Sequence, residues 1–138
     1  MTDSEEKLAL VLAFHGHIGP YVVAGLRAGE LAVRELGARK HFGLEAVVRC
    51  PDEPPPSCFI DGVQLGSGCT MGKRNLRHEV ADEVTATFRN RDTGESISLA
   101  LSPELMARAV ERLRAESDVA GGRVVLEAPE AELFSVTR

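Results

Sequence analysis

The chain has no tryptophan and a single tyrosine, and aromatics make up only 4% of its 138 residues. Stacking on bases or sugar rings is therefore excluded as the main source of binding. A cationic excess is missing too. Sixteen Lys and Arg against 21 Asp and Glu leave a formal charge of −5, the wrong sign for a phosphate-backbone binder. No apolar run reaches the ~18 residues of a membrane span. Leu8–Phe14 is too short for a secretory leader and follows acids rather than lysines. The three cysteines are odd in number, irregularly spaced and without a C-x2-C pair, which excludes a disulfide framework and a zinc ribbon. The expectation is a cytoplasmic chain with free or metal-bound thiols and with neither nucleic acid nor membrane as partner.

What is present is enough for one ordinary domain. Hydrophobic residues make up 43% of the chain, too many for a disordered one. A chain of this length buries a normal core without a staple. Ser4 caps a first helix with a stripe of Leu8, Val11 and Leu12, which stops near Phe14. His15-Gly16-His17-Ile18-Gly19-Pro20 breaks the pattern, and Pro20 starts a second helix that runs to Leu36 and ends at Gly37. The second helix carries a small face of Ala24, Gly25, Ala28, Gly29 and Ala32. Its two glycines cost about 1 kcal/mol each in helix propensity, so a sheet or a second subunit is expected to pack closely there.

Leu44–Cys50 reads as a strand, and Pro51–Pro56 as a stiff connector. A short helix capped by Ser57 follows and runs to about Leu65. Val84–Arg89 and Ile97–Leu101 alternate with period two around a turn, which predicts an antiparallel hairpin. Ser102-Pro103-Glu104 opens another helix. Arg123–Glu127 reads as a strand, Pro129–Leu133 as a helical turn and Phe134–Thr137 as a last strand. The predicted class is α+β, with helices packed on a mixed or antiparallel sheet.

The chemistry is expected around Gly66–Leu76, a segment with three glycines, a thiol, a lysine and an arginine and no apolar periodicity. Such a loop allows the backbone to approach an ion or anion closely. It is not a P-loop: Gly68 to Lys73 is one residue short, and Arg74 stands where a magnesium-binding hydroxyl is required. Lys73, Arg74, Arg77 and His78 form a small basic cluster. It is read as a solvated face, with a small anion or a partner carboxylate as alternatives.

His15 and His17 sit in a glycine-flanked turn outside any apolar stripe, and imidazole suits zinc, nickel or iron. Cys58 and Cys69 can add thiolates. Asp61, three residues after Cys58 and on the same helical face, can add a carboxylate. Other readings of the thiols stay open. Cys58 can be a nucleophile with His17 as its base, and Cys69 near Lys73 can be a redox thiol of depressed pKa. Cys50 reads as a buried hydrophobe, Met71 and Met106 as packing residues, and His41 and His78 as solvent-facing.

Three motifs occur in order: Phe14-His15-Gly16-His17-Ile18-Gly19-Pro20, then Cys58-x2-Asp61-x2-Gln64, then Gly68-Cys69-Thr70-x-Gly72-Lys73-x-Asn75-Leu76. With the closing Pro129-Glu130-x2-Leu133-Phe134-x-Val136, they resemble the FmdE family, named for a component of molybdenum/tungsten formylmethanofuran dehydrogenase. The resemblance covers most of the chain. It implies a single α+β domain over residues 1–138, a homodimer, and a metal site of His and Cys positions. The chain departs from the family pattern in two places. A cysteine usually stands where this chain has Gly19, and the C-terminal zinc-ribbon extension of many relatives is absent.

The combined expectation is a metal-dependent enzyme or enzyme subunit acting on a small one-carbon or redox substrate. Its metal, zinc before nickel or iron, is held by His15, His17, Cys58 and Cys69. Asp61 is placed as base or orienting group, Lys73 on an anionic substrate group, and Cys69 as a reactive thiol. Oxidoreductase subunits are the expected partners. The alternatives are a metal-binding accessory protein without turnover and an interaction subunit with a vestigial site.

Overall fold

A computed structural model describes residues 2–138. Helices α1 (Asp3–His15) and α2 (Pro20–Leu36) precede strand β1 (Leu44–Cys50) and helix α3 (Cys58–Ser67). Strands β2 (Leu76–Val80), β3 (Thr85–Asn90) and β4 (Ser96–Leu101) follow. Helices α4 (Pro103–Ala115), α5 (Asp118–Glu127) and α6 (Glu130–Leu133) then lead to β5 (Phe134–Thr137).

The five strands form one mixed sheet in the order β2-β1-β3-β4-β5. β1 and β2 pair in parallel, and every other pairing is antiparallel. Period-two alternation puts Leu44, Ala46, Val48 and Cys50 of β1 on the buried face, in register with Ala86 and Phe88 of β3 and Ile97 and Leu99 of β4. The helices cover that face. The other face carries Glu45, Arg49, Thr85, Thr87 and Ser98 and stays half-exposed or open, as an antiparallel sheet with one wet side does.

The two glycines in the small face of α2 pack on α3 of the same chain, which neither expectation named. A Cβ on Gly25 would stand 2.1 Å from the Phe59 carbonyl oxygen, and one on Gly29 would stand 2.5 Å from the Ser67 amide nitrogen. The approach is reciprocal: a Cβ on Gly62 would meet the Val22 carbonyl at 2.0 Å, and one on Gly66 the Leu26 carbonyl at 2.2 Å. Four glycines therefore let two backbones touch, and the close contact offsets their poor helix propensity. The crossing also carries the start of α3 to the turn between α1 and α2.

Three local expectations are corrected, and one strand is added. α1 is capped by Thr2, two residues before Ser4, in a reciprocal capping box with Glu5. Leu12 is exposed rather than in a buried stripe, since only Leu8 and Val11 of α1 are buried. β2 is a strand that the sequence does not announce. It is an edge strand with only Leu76 buried, so its alternation is faint. The segment read as a strand at Arg123–Glu127 belongs to helix α5, whose Ser117 cap accepts the Ala120 N–H. There Gly121 and Gly122 are buried, and a Cβ on either would come within 2.8 Å of Ala109 O or Ile18 Cγ2. Packing thus overrides the strand preference of Val124 and Val125. Arg27 completes this helix from α2, its guanidinium donating to the carbonyls of Val125 and Ala128 at the C-terminal end.

Candidate metal centre

The turn between α1 and α2 presents the histidines. Gly16 takes a left-handed conformation (φ 91°) and closes α1, while Gly19 caps α2 ahead of Pro20. His15 is thus the last residue of α1, and His17 stands free in the turn. Cys58 opens α3, which the glycine crossing holds alongside. One ligand atom from each of His15, His17 and Cys58 lies within 4.8 Å of the others. The two imidazole centroids are 4.7 Å apart and tilted by 46°.

A carboxylate is hydrogen-bonded to Nδ1 of His15, and a second one stands near His17 beyond hydrogen-bond distance. His15 Nδ1 lies 2.7 Å from Asp61 Oδ2, a normal hydrogen bond. With Nδ1 holding the proton for that bond, the lone pair is left on Nε2. This nitrogen is buried and has no partner, the one such side-chain atom among the described residues. A buried polar atom without a partner costs about 1–3 kcal/mol, so a ligand for it is the expected remedy. His17 Nδ1 lies 3.7 Å from Asp118 Oδ2 at the start of α5, with both side chains about half-exposed. Asp118 carries no sequence signal, because 101 positions separate it from His17 and only the fold brings them together.

The donor set fits a transition metal. Two imidazoles and one thiol are what zinc takes, and the Asp61 carboxylate on Nδ1 of His15 favours the tautomer that ligation through Nε2 needs. Burial, and then the charge of Asp61, push the Cys58 thiol up, while a backbone N–H hydrogen bond opposes them. The thiol is therefore held in its protonated form, and a bound cation would favour the thiolate.

Cys69 does not join the group. It is fully buried, its thiol donates to the Leu44 carbonyl at 3.3 Å, and its backbone N–H donates to the Ser67 hydroxyl. The depressed pKa expected for it is not found. Burial dominates and pushes the thiol up, against smaller effects of Ser67, Lys73 and Arg91. The Lys73 ammonium donates to the Gly68 carbonyl at 2.5 Å and to Thr70 Oγ1 at 3.1 Å, and so closes its own loop. It also lies 5.4 Å above the Phe42 ring. Asn75 is the loop's buried anchor: it accepts the Thr70 N–H and donates to the carbonyls of His41 and Leu44. Asp61 is the one residue placed as base or orienting group that touches the histidines. Gln64, assigned no role from sequence, bonds both Asp61 and the loop. Cys50 and His78 pair elsewhere, at the β1–β2 ends, with Sγ and Nε2 3.4 Å apart.

The protein is thus an α+β domain with a three-residue His/Cys group at a helix–helix turn. The family model described as "FmdE, Molybdenum formylmethanofuran dehydrogenase operon" matches residues 14–135, and the chain belongs to that family. A tungsten formylmethanofuran dehydrogenase FmdE-like protein from Syntrophus aciditrophicus has the same fold. Its TM-score is 0.67 at 24% identity, over 96% of this chain and 70% of that one. A protein of Archaeoglobus fulgidus named "Probable S-adenosyl-L-methionine-binding protein" is 36% identical over 86 residues. The match takes in 57% of this chain and 22% of that protein, so the chain spans about a fifth of this relative's length. No single helix among the described residues is long and apolar enough to cross a membrane.

Proposed function

We propose that this chain is a metal-dependent enzyme or enzyme subunit acting on a small one-carbon or redox substrate. In this reading His15, His17 and Cys58 hold a transition ion, with zinc first and nickel or iron as alternatives. The observation that carries it is the partnerless, buried Nε2 of His15 beside a second imidazole and a thiol. Zinc held by His15, His17 and Cys58 would supply Lewis-acid polarisation of a substrate oxygen.

The chain's own residues do the rest. Asp61 keeps the His15 proton on Nδ1 and so leaves Nε2 to ligate. Cys58 would hold the cation as a thiolate. Cys69 and Lys73 act by shaping the glycine loop, with a small anionic ligand as the group that Lys73 would meet on leaving its Gly68 contact. A cytoplasmic homodimer is part of the same reading, since α1 exposes Leu10, Leu12 and Phe14 at 51–57%, and Phe14 adjoins His15. Oxidoreductase subunits are the proposed heterologous partners. The S-adenosyl-L-methionine binding named for the archaeal relative is not carried over, because so little of that protein is matched.

Cobalt substitution tests the reading. The cobalt form should show a sulfur-to-cobalt charge-transfer band that is absent from Cys58→Ala. A wild-type spectrum without that band ends the proposal. The second reading, an accessory protein that carries the ion without turnover, is favoured by one observation: the His17 side chain is 53% exposed, as suits a ligand that hands its ion on. Rapid transfer of the bound metal to a weaker chelating peptide would support this second reading.

A further inference from the structure

The face of α3 that does not pack on α2 carries Cys58, Asp61 and Gln64 at intervals of three, all half-buried. Gln64 joins two parts of the molecule. Its Oε1 accepts the Met71 N–H at 2.9 Å, and its Nε2 reaches Asp61 Oδ1 at 3.4 Å. The backbone amide can only donate, so it fixes which end of the Gln64 side chain is oxygen. The amino end must then face Asp61.

Asp61 is thereby held at both oxygens, with Oδ1 receiving Gln64 and Oδ2 facing His15 Nδ1. A continuous line of hydrogen bonds runs from the Met71 N–H through Gln64 and Asp61 to His15, and ends at the partnerless Nε2. The far end is fixed as well. Met71 O accepts the Arg74 N–H, Lys73 N–H donates to Thr70 Oγ1, and Asn75 holds the Thr70 N–H.

We infer that Gln64 is a positioning residue that ties the glycine loop to the metal group: it orients the Asp61 carboxylate so that His15 presents Nε2 as a ligand. The inference rests on the proposed metal site, and the His15 tautomer in the metal-free protein gives it a readout of its own. Gln64 is not a member of the candidate ligand group. Its effect passes through the side-chain angle of Asp61 and the tautomer of His15, and outer partners of this kind change metal affinity by roughly 10–100-fold.

The test uses two variants of the full chain. Gln64→Met is similar in length and makes neither hydrogen bond. Gln64→Glu keeps an acceptor for Met71 but, in mildly alkaline buffer, has no proton to give Asp61. Two quantities are read: zinc affinity by chelator competition, and the His15 tautomer in the metal-free protein by long-range proton–nitrogen NMR correlation. The wild type should hold His15 as the Nδ1–H tautomer. Both variants should lose roughly 10-fold or more in zinc affinity and show mixed tautomers. If Gln64 only braced the loop, the His15 tautomer of Gln64→Met, which adds no charge beside Asp61, would match the wild type, and that result overturns the inference. If the wild type binds no zinc but its tautomer still depends on Gln64, the metal proposal fails and the positioning role stands.

Discussion

Asp61 Oδ2 lies 2.7 Å from His15 Nδ1, although 46 positions separate the two residues in the chain. The contact exists because α3 crosses α2 at four glycines and so arrives beside the end of α1. It sets the protonation pattern of the imidazole, and with it the availability of the buried nitrogen on the other side of the ring.

Asp61→Asn therefore separates orientation from folding. The side chain is 40% exposed, so thermal stability should change by less than about 1 kcal/mol. Zinc affinity should fall by roughly 10–100-fold. Chelator competition beside a thermal melt gives both numbers, and an unchanged affinity would remove Asp61 from the site.

The helix crossing makes a second prediction. A Cβ on Gly62 has no room, with Val22 O at 2.0 Å, Leu26 N at 2.6 Å and Gly25 Cα at 2.8 Å, all of them backbone atoms that cannot rotate aside. Gly62→Ala should cost about 3 kcal/mol or more, at the upper end of overpacking effects, and should weaken metal binding by displacing Cys58 and Asp61. Gly72→Ala meets only Thr70 Oγ1 at 4.0 Å and should be neutral to within about 0.5 kcal/mol. Denaturant unfolding of the pair decides this, and equal midpoints would contradict it.

The two glycine segments also show what could be read from the sequence. The small face of α2 and its demand for a close neighbour are visible in Gly25 and Gly29. Their partner is not, because Gly62 and Gly66 lie in a segment whose later part reads as loop until the crossing is seen. His15, His17 and Cys58 stand out because each is a metal-ligating side chain outside an apolar stripe. From the sequence Cys69 is expected as a further ligand and Lys73 on an anionic group, but burial and internal hydrogen bonds turn both toward holding the loop. Strand β2 and helix α5 were hidden for another reason. An exposed edge strand needs little alternation, and a helix of glycines and valines is stabilised by its neighbours rather than by its own preferences.

Alkaline pH supplies a third prediction, away from the site. Burial, and then the charge of Asp52, push the Cys50 thiol from its usual 9.0 up to about 11. An acid whose folded pKa is raised stays protonated in the fold while the unfolded chain ionises. The associated stability is fully present below about pH 9 and is lost as pH rises through 11. The loss amounts to roughly 3 kcal/mol at about 1.4 kcal/mol per pH unit. Urea unfolding across that interval should show this slope in the wild type and a shallower one in Cys50→Ala, whose baseline is lower because of the missing sulfur. Identical slopes would assign the alkaline loss to other groups.

Gly19 yields a fourth. Its φ of −144° is open to any residue, and a Cβ there would stand 3.2 Å from His17 Cε1. The exposed ring can give way by the few tenths of an ångström required. Gly19→Cys should place a second thiol beside the group and tighten zinc binding on the order of tenfold, about 1.4 kcal/mol. Weaker binding would show that the thiol blocks the site instead.

The most direct test is the metal content of the purified wild type beside His15→Ala and Cys58→Ala, measured by elemental mass spectrometry with folding confirmed by circular dichroism. A metal centre at the helix–helix turn predicts a transition metal in the wild type at about one ion per chain and its loss from both folded variants. A metal-free wild type, or variants that keep the full wild-type content, would contradict it.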